Sequence, residues 1–199
     1  GKVIVAFADT LFSADFTVDE VLDGAVWVKR VDDPRQFGVV KVDEKNVITD
    51  FVEKPVTFVS DLAIIGIYYF RDGANLKKEL RYLLENNIKD KGEFQLTSAL
   101  ENMKTKGLKF AAAPVHEWLD CGNKDATVYT NQRILEFKKE ELSSPSAESL
   151  EHSVIIPPCY IGRNVRLHGS VIGPHVSVGD NSVIENSVIK NSIVLNATR

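Results

Sequence analysis

Ile161-Gly162-Arg163-Asn164-Val165-Arg166-Leu167-His168-Gly169-Ser170-Val171-Ile172-Gly173 is the stretch that decides how the C-terminal part of this chain folds. Ile161-Gly162 and Ile172-Gly173 are echoed by Val178-Gly179, and Ser-Val-Ile recurs at Ser170, Ser182 and Ser187, with Ser192-Ile193-Val194 close to it. Ile161, Leu167, Ile172, Val178 and Ile184 are spaced by six, five, six and six. That is a hexapeptide repeat with one slip. Its physical sense is a triangular coil, three short strands to a turn, with one aliphatic side chain pointing inward each time. An ordinary sandwich of short strands is the competing reading, and the agreement of the Ile/Val-Gly pairs with the period favours the coil. The last rung, at Leu195-Asn196-Ala197-Thr198-Arg199, has no evident cap and is expected to need cover from a partner or from further sequence.

Moving outward from the coil, Ser143-Ser144-Pro145-Ser146 reads as a linker by composition. Before it the periods are those of an α/β domain. Ala126, Thr130, Ile134 and Phe137 predict a helix that ends in the charged run 138–141, and Leu96, Ala99, Leu100 and Met103 predict another, stopped near Gly107. Leu76, Leu80, Leu83 and Leu84 predict a third. Apolar runs at 25–31, 62–70 and 108–113 read as strands, and two further runs flank the polar turn Asp43-Glu44-Lys45-Asn46 as a hairpin. Thr17-Val18-Asp19-Glu20 fits a capping box for a short helix. The opening run Val3-Ile4-Val5-Ala6-Phe7-Ala8 is continuously apolar, as in a strand buried on both faces. So abrupt a start suggests that Gly1 is a cut point or cloning scar. The expected organisation is an α/β part over 1–142, a linker over 143–152 and the coil over 153–199.

Composition narrows the class. The chain has 199 residues, 44% of them hydrophobic and 26% charged, as in a soluble globular protein. A formal charge of -4 supplies no basic stripe, so nucleic acid is not an expected partner. No apolar run approaches the ~20 residues that span a bilayer, and no signal-peptide pattern opens the sequence. Cys121 and Cys159 form neither a metal-ligand spacing nor a disulfide framework, so a reducing cytoplasm is the expected location.

Three spots could carry chemistry. Asp9 follows an apolar strand, where ligands of open α/β sheets bind, and a carboxylate there can hold Mg²⁺ or simply cap a loop. Asp120, in Trp118-Leu119-Asp120-Cys121-Gly122, occupies a similar place before a glycine turn. Two such carboxylates could share metal and bridge a phosphate if they meet. In Val52-Glu53-Lys54-Pro55, Lys54 precedes a proline-stiffened turn and can face an anion, while Glu53 can accept from sugar hydroxyls; a solvated surface pair is the plainer alternative.

These segments, in order, carry a resemblance. Phe7-Ala8-Asp9-Thr10-Leu11-Phe12, Phe37-Gly38-Val39-Val40, Phe51-Val52-Glu53-Lys54-Pro55, Ile65-Gly66-Ile67-Tyr68, Gly92-Glu93-Phe94-Gln95-Leu96-Thr97 and Trp118-Leu119-Asp120-Cys121-Gly122 resemble the sugar-1-phosphate nucleotidylyltransferases, nearest the glucose-1-phosphate thymidylyl- and uridylyltransferase branch. The resemblance implies the C-terminal part of a Rossmann-like, mixed-sheet α/β nucleotidyltransferase domain followed by a short left-handed parallel β-helix. It implies that Asp9 and Asp120 bind Mg²⁺ and that Lys54 contacts the sugar phosphate. It places Gly38 and Glu53 along the sugar, with Gly66 and Glu93 near it. It also implies the reaction: a sugar-1-phosphate oxygen attacks the α-phosphate of a nucleoside triphosphate and pyrophosphate leaves. A homo-oligomer is expected, with the coil serving assembly or regulation.

Two departures matter. The Gly-rich phosphate loop with which the family begins is not found here, so this chain is expected to hold nucleoside triphosphate poorly and to turn over little or nothing. Ser98 also stands where relatives often carry Asp. Two further readings remain open: a non-catalytic module that binds sugar phosphate or serves assembly, and a hexapeptide acyltransferase using His168 or His175 as base.

Overall fold

The computed structural model describes residues 1–14, 21–142 and 150–199. The capping box at 17–20 and the linker at 143–146 lie outside the described residues. The chain divides into two compact units, Gly1–Trp118 and Leu119–Arg199.

In the first unit the strands are β1 (Val3–Ala6), β2 (Thr10–Ser13), β3 (Gly24–Arg30), β4 (Gly38–Val42), β5 (Ile48–Glu53), β6 (Leu62–Phe70) and β7 (Phe110–Pro114); β8 (Glu117–Asp120) begins here and ends in the second unit. Helices α1 (Gly73–Glu85) and α2 (Leu96–Thr105) lie between β6 and β7. One mixed sheet runs in the order β5-β4-β6-β3-β7, with β1 also paired to β6. Within it β3 and β7 run parallel, whereas β6 is antiparallel to β1, β3 and β4.

The continuous apolar character of β3 and β6 follows from burial on both faces. Val26, Val28, Ile64, Tyr68 and Phe70 point to the side covered by α1 and α2, with Leu76, Leu100, Met103 and Phe110. Their alternates Ala25, Trp27, Ile65, Ile67 and Tyr69 form a second cluster on the other face. The β4–β5 hairpin turns where expected. Asp43 Oδ1 accepts the N–H groups of Lys45 (2.8 Å) and Val47 (2.9 Å), which hold its carboxyl below the usual range, and Asn46 takes the left-handed backbone at φ 60°. Asp72 caps α1 through the Ala74 N–H, and α2 stops at Gly107, at φ 93°.

The expectation for the opening run is corrected. β1 covers only Val3–Ala6 and is not buried on both faces: Ile4 is 56% exposed, and Val3 and Phe7 are exposed as well. It pairs with β6 along one edge, and among the described residues no strand pairs with its other edge. A smaller correction concerns α1. Leu76 and Leu83 are buried, whereas Leu84 is exposed and Glu79 takes a buried place in the stripe, its carboxylate held by Lys106 Nζ at 2.6 and 2.7 Å.

Among its described residues the second unit holds α3 (Lys124–Phe137) and nine short strands: β9 (Leu150–Glu151), β10 (Val154–Ile155), β11 (Cys159–Ile161), β12 (Arg166–His168), β13 (Val171–Ile172), β14 (Val176–Val178), β15 (Val183–Glu185), β16 (Val188–Ile189) and β17 (Ser192–Val194). They stack in parallel as three sheets, β10-β13-β16, β11-β14-β17 and β9-β12-β15. Val154 faces Val171, which faces Val188, and Leu167 faces Ile184, so these turns are 17 residues long, whereas Val176 faces Ser192 and the step from β14 to β17 is 16. Leu167, Ile172, Val176, Val178 and Ile184 fill the interior. Gly173 shows why glycine is needed at a corner. Its φ is 111°, and a β-carbon there would lie 2.0 Å from the Ile156 carbonyl oxygen. Among the described residues no helix is long and apolar enough to cross a membrane.

Candidate functional site

The hairpin register sets Gly38 on β4 directly opposite Glu53 at the end of β5. Beyond Glu53 the chain turns sharply. Lys54 has a left-handed φ of 41°, its N–H donates to the Phe37 carbonyl (3.1 Å), and Lys91 Nζ donates to the Lys54 carbonyl. A lysine gains nothing intrinsic from that backbone region, so the turn is held by these outside contacts. The result is a corner with a carboxylate inside and an ammonium at the rim: the Glu53 side chain is 10% exposed and that of Lys54 is 45% exposed.

Glu53 is fixed by its surroundings. Its Oε2 accepts from Thr97 Oγ1 at 2.9 Å, in the first turn of α2, where the helix dipole favours negative charge. Its Oε1 lies 3.9 Å from Lys54 Nζ. The absence of a side chain at Gly38 makes room, since a β-carbon there would come 3.0 Å from Glu53 Oε2 and 3.1 Å from Thr97 Cγ2. Burial, with the Glu53 charge added, pushes the Tyr68 phenol above its ordinary pKa, so it stays a neutral hydroxyl. Chemically, the corner offers a fixed acceptor with spare lone pairs and a half-exposed cation beside it. That combination suits a hydroxylated molecule carrying an anionic group.

The remaining candidates distribute as follows. Asp9 is exposed in the turn between β1 and β2, and the chain on either side of it is pinned to β6. The Phe7 N–H donates to the Gly66 carbonyl and Thr10 Oγ1 to that of Ile65, both at 2.9 Å. Gly66 has φ 84° and lies under Phe7, where a β-carbon would be 2.9 Å from the ring. Glu93 is exposed in the turn 90–93 and accepts from Gln95 Nε2 at 3.2 Å. In the second unit, Asp120 ends β8. Its Oδ1 accepts the Gly122 N–H (3.0 Å) and its carbonyl accepts Thr130 Oγ1 (2.9 Å). The first unit therefore gathers Gly38, Glu53 and Lys54 into one corner, while Glu93 makes its own local contact and Asp120 belongs to the other unit. Sequence reasoning missed Thr97 and Lys91 as the residues that hold the corner. Thr97 lay in a quoted motif, but nothing local ties it to a glutamate 44 positions earlier.

The two histidines have structural partners. His168 Nδ1 lies 3.2 Å from Glu151 Oε2, and His175 Nε2 lies 2.6 Å from Glu136 Oε1. His175 Nδ1 faces Gln132 and Asn191 at 3.4 and 3.3 Å. Both nitrogens of His175 are thus engaged within the fold.

Comparison with known proteins identifies the family. A family model described as "Nucleotidyl transferase" matches residues 5–136. The chain belongs to the nucleotidyl transferase family. It is 28% identical over 171 residues to a glucose-1-phosphate thymidylyltransferase of Streptomyces antibioticus, covering 78% of this chain and 47% of that protein. It is 29% identical over 159 residues to the bifunctional protein GlmU of Methanocaldococcus jannaschii, covering 78% of this chain and 36% of that protein. The chain thus spans about half, or less, of the length of these relatives. Among solved structures it resembles a nucleoside-diphosphate-sugar pyrophosphorylase from Vibrio cholerae, with a TM-score of 0.56 at 21% identity, over 65% of this chain and 55% of that one. That likeness is one of fold.

Proposed function

We propose that the protein carrying this chain is a sugar-1-phosphate nucleotidylyltransferase, and that the chain supplies the sugar-phosphate side of its active site. The observation that carries the proposal is the Glu53–Lys54 corner, open at Gly38 and braced by Thr97. The Glu53 carboxylate accepts from sugar hydroxyls and, being already oriented, loses little freedom when it does so. The Lys54 ammonium faces the phosphate and lowers the cost of bringing it against a second, anionic phosphate chain. Gly66 and Glu93 contribute to the sugar's surroundings. In the reaction an oxygen of the sugar phosphate attacks the α-phosphorus of a nucleoside triphosphate, the bond to the β-phosphate breaks, and pyrophosphate leaves with the electron pair.

Asp9 and Asp120 fit Mg²⁺ by donor type. Both are carboxylates, Mg²⁺ needs only one or two of these beside substrate phosphates, and the contact of Asp120 with Gly122 leaves its other oxygen available. Among the described residues no group of three or more His, Cys, Asp or Glu is placed to hold a metal ion. When bound, Mg²⁺ supplies charge neutralisation on the phosphates. The stacked strands of the second unit are read as a left-handed β-helix of the hexapeptide type.

The test is pyrophosphate release from a nucleoside triphosphate and a sugar-1-phosphate by the protein carrying this chain. Release should depend on Mg²⁺ and fall at least about a hundredfold in Asp120→Asn or Lys54→Ala. Sugar-phosphate binding without any pyrophosphate release would instead identify a binding module, and full turnover in both variants would remove the site assignment.

A further inference from the structure

Asp120 falls in the same compact unit as the stacked strands, and α3 joins the two. One face of the helix grips the Asp120 turn. Thr130 Oγ1 donates to the Asp120 carbonyl at 2.9 Å, Thr127 Oγ1 lies 3.2 Å from that of Cys121, and Asn123 caps the helix through the Ala126 N–H. Thr130 is buried, so its hydroxyl has few other partners to choose from. Another face grips the coil. Ser177 Oγ donates to Asn131 Oδ1, His175 Nε2–H donates to Glu136 Oε1 at 2.6 Å, and Gln132 lies against the same imidazole. The His175 side chain is only 15% exposed, and its bond holds the Glu136 carboxyl below the usual range. Thr130 and Asn131 are neighbours in sequence, so the two grips meet at the middle of a 14-residue helix about 21 Å long.

We propose that the coil is a positioning element for the candidate active site: His175 and Ser177, acting through α3, fix the turn that presents the Asp120 carboxylate. The idea rests on the reading of Asp120 as a metal ligand, and gives the coil a part in the reaction besides assembly. His175 and Ser177 touch no substrate in this account; they act through Glu136, Asn131 and Thr130. The Gly122 N–H, which donates to Asp120 Oδ1 at 3.0 Å, is a built-in reporter of the carboxylate's orientation.

The experiment is amide hydrogen exchange by NMR on the whole 199-residue chain. In His175→Ala/Ser177→Ala, exchange at Gly122 and Ala126 should speed up about tenfold. The coil amides of Gly162 and Val171, bonded to the Val178 and Ser187 carbonyls, should hold. Glu136→Gln keeps an acceptor for the imidazole N–H and should stay within about twofold of wild type, a rescue that simple packing loss does not predict. An unmoved Gly122 amide beside intact coil amides would overturn the proposal. Should the double variant lose the coil amides too, Glu136→Ala alone decides: about fivefold faster exchange at Gly122 supports the coupling, and no change overturns it. Mn²⁺ broadening of the Gly122 resonance in the wild-type chain, measured with a sugar-1-phosphate and a nucleoside triphosphate at saturating concentration, tests the metal reading separately; its absence would sink that reading, whereas the exchange result concerns only the coupling.

Discussion

Gly38→Ala tests the corner with a single methyl group. Its carbon would lie 3.0 Å from Glu53 Oε2, 3.1 Å from Thr97 Cγ2 and 3.4 Å from Ile64 Cδ1. Gly38 lies outside the left-handed region, so alanine can adopt its backbone and the effect is one of contact alone. Something must give, and the softest neighbour is the Glu53 carboxylate, at the end of a side chain with rotatable bonds; Ile64 is held in the core. Moving it by a few tenths of an ångström strains the 2.9 Å bond from Thr97, a hydrogen bond to a charged acceptor worth about 1.5–3 kcal/mol when whole. Overpacking by itself costs about 1–3 kcal/mol. The two do not add, because the movement that strains the bond relieves the crowding. A net loss of about 2 kcal/mol in the stability of the first unit is expected. Affinity for a sugar-1-phosphate should fall about tenfold or more, since 1.4 kcal/mol is a factor of ten. Urea unfolding read by tryptophan fluorescence and calorimetric titration with glucose-1-phosphate measure the two. A double-mutant cycle with Thr97→Val adds a further check: if the methyl acts by separating Glu53 from Thr97, the second substitution adds little to the first. Affinity within about twofold of wild type, or full additivity in the cycle, would refute the reasoning.

Three further outcomes are expected. Lys106→Ala leaves the Glu79 carboxylate buried at 1% exposure without its partner and should cost about 3 kcal/mol, at the low end for a broken buried pair because Lys106 itself is half exposed; urea unfolding measures it. Gly173→Ala sets a methyl 2.0 Å from a backbone oxygen at φ 111°, and should cost at least about 3 kcal/mol in the thermal unfolding of the second unit. Asp180 accepts the Arg163 N–H at 2.8 Å and pairs with its guanidinium, which holds the carboxyl below its usual 3.8. The folded state then binds fewer protons than the unfolded one, so this contribution is present above pH 3.8 and is lost as the pH falls through the depressed folded value; Asp180→Asn should flatten that acid limb in a circular-dichroism titration.

Much of the fold was legible because its signals are local. The 62–70 strand, the Asp43–Asn46 turn and the α2 stop at Gly107 each follow from side chains within a few residues of one another. The spacing of Ile161, Leu167, Ile172, Val178 and Ile184 is likewise a local pattern, and four of these five residues are buried. Errors came where distance in sequence decides. The run Val3–Ala8 is apolar enough for a buried strand, but its exposure depends on what lies over it, which its own composition does not state. Glu79 reads as the polar side of α1 until Lys106, 27 residues on, is brought against it. Glu53 and Lys54 were singled out as an adjacent pair, whereas the groups that orient them, Thr97 and Lys91, come from another part of the chain.

The central claim is that the Glu53–Lys54 corner receives a sugar-1-phosphate, and calorimetric titration of the 199-residue chain with glucose-1-phosphate tests it most directly. Saturable binding is expected, weakened about tenfold or more in Lys54→Ala, with free glucose binding less well than its phosphate. No saturable binding, or equal affinity in wild type and Lys54→Ala, would contradict it.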